Sequence, residues 1–330
     1  LNIIYFIVMP ALYQTNPDII DMVYDPEVGA GYAFYINLAC TATITLFFWR
    51  ELTGFRYVFD RQLLKRMLSY SWPILVLGIA GILNQTADKI LFPYIYKGDD
   101  AHEQLGIYGA ASKIAMIMAM ITQAFRYAYE PFVFGKAKDK DNRDTYAKAM
   151  KYFIIFTLLA FLMVVGYIDI LKCIIGRDYW SGLRVVPIVM AAEIMMGVYF
   201  NLSFWYKLID KTIWGAWFSG IGCLVLVSIN ILMVPRYGYM ACAWAGFAGY
   251  ATAMTVSYLV GQKKYPINYP LGEIALYVAI AIVMFAAMQY SNSHLNTLAA
   301  LTVNSLLITA FAAIIIYKDF KTIIINRLKK

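Results

Sequence analysis

Asp88, Lys89, Lys113, Arg126, Glu130 and Glu193 stand inside long apolar stretches of the chain. A charged side chain at bilayer depth is unfavourable, and it is retained where a bundle interior, a wet cavity or a ligand compensates it. The cations Lys89 and Lys113 suit a wet cavity, with snorkelling or pairing with Asp88 as the alternative, and Arg126 suits a cavity or a local ion pair. The carboxylates Asp88, Glu130 and Glu193 suit ion pairing or uptake of a proton or cation. Counted from the ends of their apolar runs, Lys89 and Lys113 each lie roughly 12 Å below the same surface. They are therefore expected to share one level of a cavity. Arg126 lies about 20 Å deeper than Lys113 and about 140° around the helix, and its i, i+4 spacing to Glu130 allows a local pair. Asn84, Gln85, Gln123 and Asn201 add polar surface near these charges and are expected in the same cavity, although such side chains also stabilise helix packing.

The elements that position these residues are helices in a membrane. With 62% hydrophobic and 15% charged residues, the chain has too little polar surface to coat a water-soluble globule of 330 residues. Apolar runs are read at 1–13, 30–49, 71–96, 104–132, 150–171, 183–206, 213–234, 239–260, 271–290 and 297–317, with no strand alternation inside them. The charge between them alternates. Asp18, Asp21, Asp25 and Glu27 fill the first gap, whereas Arg50, Arg56, Arg61, Lys65 and Arg66 fill the second. Lys97 then stands among Asp99, Asp100 and Glu103, and the following gap holds Lys136, Lys138, Lys140, Arg143 and Lys148. Basic loops on one side predict a multi-pass protein with these loops and the C-terminus in the cytoplasm. The net charge of +8 is thus accounted for by topology rather than by nucleic-acid binding.

The sequence divides into 1–50, read as a remnant of an N-terminal lobe, and 51–70, whose spacing of Phe55, Phe59, Leu63, Met67 and Leu68 among basic residues predicts an amphipathic linker helix at the cytoplasmic interface. Residues 71–261 form a lobe of six helices, and 262–330 supply two further helices and a basic tail. Leu1 is not an initiator Met and the first apolar run is short, so an N-terminal part is expected to be missing. No P-loop, dinucleotide fingerprint, HExxH or Ser/His/Asp set is present. Cys40, Cys173, Cys223 and Cys242 lack metal-ligand spacing, and His102 and His294 fall in outer loops. Neither a metal nor a cofactor is expected, and the chain is not read as an enzyme.

The order of several short motifs resembles a known family. Met67-Leu-Ser-Tyr-Ser-Trp-Pro73, Asn84-Gln-Thr-Ala-Asp-Lys89, Gly106-Ile-Tyr-Gly-Ala-Ala-Ser-Lys-Ile114, Ala128-Tyr-Glu-Pro131 and Asn230-Ile-Leu-Met-Val-Pro-Arg-Tyr-Gly238 resemble the polysaccharide (oligosaccharide) flippases of the MOP (multidrug/oligosaccharidyl-lipid/polysaccharide) exporter superfamily. Met240-Ala-Cys242 departs from the Gly and Ala usual after the last of these. The resemblance implies an all-α, two-lobe MOP/MATE-like transporter in which these spans correspond to the fifth to fourteenth helices. It also implies a basic cavity for a polyprenyl-linked sugar diphosphate, with roles for Lys89, Lys113 and Arg126. The expected function is translocation of an undecaprenyl-diphosphate-linked oligosaccharide, the repeat unit of O-antigen, capsule or exopolysaccharide, across the bacterial inner membrane by alternating access. Membrane lipids and other polysaccharide-assembly membrane proteins are the expected partners. A multidrug cation antiporter of the same superfamily would need an acidic cavity. A polysaccharide polymerase or glycosyltransferase would need an outer domain or an acidic metal motif.

Overall fold

A computed structural model describes residues 31–53, 59–136, 142–209 and 211–328. The long helices are α1 (Gly31–Phe47), α2 (Arg61–Ile95), α3 (Ala101–Lys136), α4 (Asn142–Gly166), α5 (Val186–Leu202), α6 (Ile213–Tyr237), α7 (Tyr239–Lys264), α8 (Leu271–His294) and α9 (Thr297–Leu328). Short helical turns at Ile168–Leu171, Lys172–Ile174 and Arg177–Val185 connect α4 to α5. By length and composition, six helical segments among the described residues can cross a membrane, corresponding to α3, α4, α5 with its flanking turns, α6, α8 and α9. Among the described residues the regular structure is entirely helical, and the protein is a multi-pass membrane protein. The expected run 1–13 and the basic residues Lys138 and Lys140 lie outside the described residues, as do Phe55 and its neighbours through Val58.

The chain forms two compact units, Leu1–Met67 and Leu68–Lys330. In the first, α1 presents Phe34, Leu38, Leu46 and Phe47 on its surface. The expected linker helix over 51–70 is not a separate element in its described second half. Residues 61–70 are the opening turns of α2, which runs on to Ile95. The Asp60 carboxylate accepts the backbone N–H groups of Gln62 and Leu63 at 2.8 and 3.1 Å, an N-cap that fixes the start. The Leu, Lys, Arg and Met residues that follow favour helix and supply no break.

In the second unit, α6 and α7 form an antiparallel pair joined by Gly238. Its φ of 57° and ψ of −143° are accessible to glycine and strained for other residues. The helices cross at Gly222 and Gly249, where a Cβ on Gly222 would stand 2.8 Å from the Gly249 carbonyl oxygen. Such close approach is the usual means by which small residues let membrane helices pack. α7 packs on α5, and α5 packs on α3. The α3 contact buries Ala111, Ile114, Ala115 and Met118 with Val186, Met190 and Ile194. A second group comprises α4, α8 and α9 around Phe153, Leu162, Tyr277, Met288 and Phe311. Asn304 ties this group together by donating to the Gly166 carbonyl and the Asn292 side chain, each at 2.9 Å.

Candidate functional site

Asp88 and Lys89 are neighbours on α2, so their side chains diverge by about 100° around the helix. Asp88 turns inward and is buried. Its carboxylate accepts the Tyr108 hydroxyl of α3 and its own neighbour's backbone N–H, the latter at 2.8 Å. Lys89 is half-buried, with Nζ 5.9 Å from the centre of the Tyr108 ring. That is a cation–π distance. Across from it on α5 stands Glu193, within electrostatic reach of Lys89 and of Tyr250 on α7. One turn deeper, the Gln85 amide approaches Met196 Sδ at 3.9 Å and marks the same α2–α5 seam.

The inner end of the unit carries a second charge cluster. Arg126 stacks over Phe200 at 4.7 Å and lies 3.8 Å from Glu130, the i, i+4 partner that the spacing allowed. Glu130 also accepts from Lys207, beyond the end of α5, at 2.8 Å. One carboxylate therefore sits between two cations, and Arg126 already has a counter-ion. Lys207 was not singled out by the sequence because it lies at a loop boundary, where a lysine reads as topology.

Lys113 differs from all of these. It lies about 18 Å along α3 from Ala101, is exposed, and has no acidic partner among the described residues. With Ala110, Ile114, Leu171, Ile175 and Tyr179 it lines a cavity of about 360 Å³ between α3 and the turns that precede α5. Tyr108, the neighbour of Lys89, is about 140° around α3 from Lys113 and about 7.5 Å along it. The two lysines thus do not occupy one face at one level as their spacing from the apolar ends implied. The difference arises because α2 ends at Ile95 and α3 starts at Ala101, which brings Lys89 nearer the surface and puts Lys113 deeper.

The expected polar companions are dispersed. Asn201 is buried and donates to the Gly197 carbonyl of its own helix at 3.3 Å, a packing contact. Gln123 is half-buried on α3, and the Asn84 side chain lies outside the described residues. Asn230, the first residue of the α6 motif, is fully buried, and neither amide atom is hydrogen-bonded among the described residues. A separate chamber of about 490 Å³, walled by apolar surface including Phe161, Met195, Phe247, Met254 and Phe285, lies between α4, α5, α7 and α8. It offers nothing polar to a sugar or phosphate. Among the described residues no cluster of His, Cys, Asp and Glu has the geometry of a metal site.

In sequence, residues 27–128 match the family described as polysaccharide biosynthesis protein, a stretch that contains Lys89, Lys113 and Arg126. In structure, the chain is similar to lipid II flippase MurJ in its inward closed conformation, with 16% identity and a TM-score of 0.62 over 82% of this chain. The alignment spans 59% of that protein. A likeness at this identity bears on the fold alone. No curated protein matches the chain in sequence.

Proposed function

We propose that this chain is a flippase of the MOP superfamily that moves an undecaprenyl-diphosphate-linked oligosaccharide across the bacterial inner membrane by alternating access, a reading supported by the family match over 27–128 and by the fold. A headgroup of sugars and diphosphate cannot cross hydrocarbon unaided, whereas its isoprenoid tail can remain in the lipid. A protein therefore needs only to shelter the headgroup, and cations along the route supply what water no longer does. Nothing in this task requires bond chemistry, in keeping with a transporter rather than an enzyme.

The observation that carries the reading is Lys113: a lysine inside an apolar span, open to a cavity and without an acidic partner among the described residues. In this reading Lys89 and Lys113 meet the diphosphate at successive points of its route, and Arg126, held by Glu130, marks the inner end. Asp88 serves as a structural acceptor for Tyr108. A multidrug cation antiporter fits less well, because Asp88 and Glu130 are already engaged with a hydroxyl and with two cations. The test is binding of farnesyl diphosphate and of uncharged farnesol to the purified chain in detergent. The diphosphate is expected to bind more tightly, and to lose that advantage in the double variant Lys89→Gln, Lys113→Gln. Equal binding of the alcohol and the diphosphate would refute the cationic route.

A further inference from the structure

Glu193 is half-buried in the middle of α5 and takes part in no hydrogen bond or ion pair among the described residues. Its helix runs opposite to α2. Glu193 is seven residues from the start of α5 and Lys89 six from the end of α2, so the two sit at about the same depth, roughly 10 Å from those helix ends. The other groups that face this position are few. From α2 come Lys89 and Gln85, with Asp88 turned away into its bond with Tyr108 of α3. From α7 comes Tyr250, itself in electrostatic contact with Glu193, Asp88 and Cys223 of α6, and Cys242 lies near Asp88 and Lys89. Around Glu193, α4 and the rest of α3 meet α5 through Phe161, Val164, Ala111, Ala115 and Met118, none of which titrates; Arg126 of α3 meets α5 at Phe200, about two turns further along.

Resting on the assignment of Lys89 to the diphosphate route, we propose that Glu193 is a proton-linked counter-ion: it neutralises Lys89 when the site is empty and takes up a proton from water when an anionic headgroup binds there. The argument is one of charge. Lys89 can compensate one anion well. With Glu193 ionised, a diphosphate at Lys89 would stand beside a like charge in a place of low dielectric, where such juxtapositions are strongly unfavourable. Protonation of one carboxylate oxygen, with no other bond made or broken, removes that repulsion and leaves the ammonium to the headgroup. A metal cation does not serve in the proton's place. It would sit beside the Lys89 ammonium, and hard divalent cations take six or more oxygen ligands, which the surroundings of Glu193 do not provide.

The experiment is the pH dependence of farnesyl diphosphate binding to the purified chain in detergent, compared with Glu193→Gln. The ligand's own titration is common to both proteins, so the difference belongs to Glu193. Wild-type affinity should fall with rising pH more steeply than that of the variant, by up to about tenfold per pH unit within the titration window of one linked proton. At pH 8 the variant should bind more tightly than the wild type, since its Lys89 is never neutralised. Infrared difference spectra of the wild-type chain give a readout that needs no variant: a protonated carboxyl band should appear when the ligand is added. Identical pH profiles together with no new carboxyl band would overturn the role of Glu193 while leaving the cationic route intact. Failure of farnesyl diphosphate to bind at any pH would overturn the route itself, and this inference with it.

Discussion

Replacing Lys113 by Gln removes the one charge in the central part of α3 that no carboxylate answers among the described residues. At a 4 Å approach and an effective dielectric of about 20, an ammonium and a phosphate oxygen attract by about 4 kcal/mol before desolvation is subtracted. Hydrogen bonds to charged groups retain about 1.5–3 kcal/mol net. Lys113 is exposed to its cavity, so the lower end applies, which corresponds to roughly a tenfold weaker Kd for farnesyl diphosphate. Lys113→Arg should keep most of the affinity, although a guanidinium is broader and less tightly hydrated. Thermal stability gives the second readout. With no acidic partner among the described residues, the Lys113 charge supports no ion pair that Gln would lose, so the Tm of Lys113→Gln should be unchanged or raised apart from a small loss of stem packing. Fluorescence titration and melting curves in the same detergent measure both quantities. Unchanged affinity in Lys113→Gln, or a fall in Tm that accompanies any loss, would show that the lysine is structural and refute the reasoning.

Other consequences can be checked separately. A double-mutant cycle on Glu130→Gln and Lys207→Met should show a coupling of about 0.5–1 kcal/mol in unfolding, the range for a partly exposed pair at 2.8 Å; additive losses would mean that the contact contributes nothing. Gly222→Ala should lower stability by about 1–3 kcal/mol, because its Cβ meets the Gly249 carbonyl. Gly220→Ala on the same helix, where nothing lies within 4 Å, is the control and should be neutral or mildly stabilising. For topology, a cysteine replacing Asp100 should react with an impermeant reagent in intact cells, and one replacing Lys264 only after permeabilisation; labelling of both from outside would contradict the orientation.

Much of the architecture is legible in the sequence because burial in lipid leaves a long-range mark: about twenty consecutive apolar residues per crossing. The expected helices at 104–132, 150–171, 213–234 and 271–290 correspond to α3, α4, α6 and α8. α7 was equally visible as a run, yet its small residues reflect helix contact more than lipid, as Gly249 against Gly222 shows. Where the linker expected over 51–70 meets α2, residues 61–70 run on into that helix, since amphipathic spacing signals a helix and not where that helix ends. The charged site was legible only in part. The Arg126–Glu130 pair follows from i, i+4 spacing, but Lys207 enters it from another helix, 77 residues later in sequence. Likewise Asp88 meets Tyr108, and Lys89 comes within electrostatic reach of Glu193, through tertiary packing. Helical arithmetic within each run could not relate Lys89 to Lys113, because their relative depth depends on where α2 stops and α3 begins.

The central claim is that this protein carries an anionic lipid-linked headgroup from one leaflet to the other. Its most direct test is reconstitution into proteoliposomes containing a fluorescent undecaprenyl-diphosphate oligosaccharide, followed by addition of an impermeant quencher or a lectin that reports only the outer leaflet. Beyond the outer-leaflet fraction accessible at once, wild-type vesicles should expose the inner-leaflet pool with time, and vesicles bearing the double variant Lys89→Gln, Lys113→Gln should do so markedly more slowly at equal protein incorporation. Exposure at the rate of protein-free vesicles, or equal rates for wild type and variant, would contradict the account.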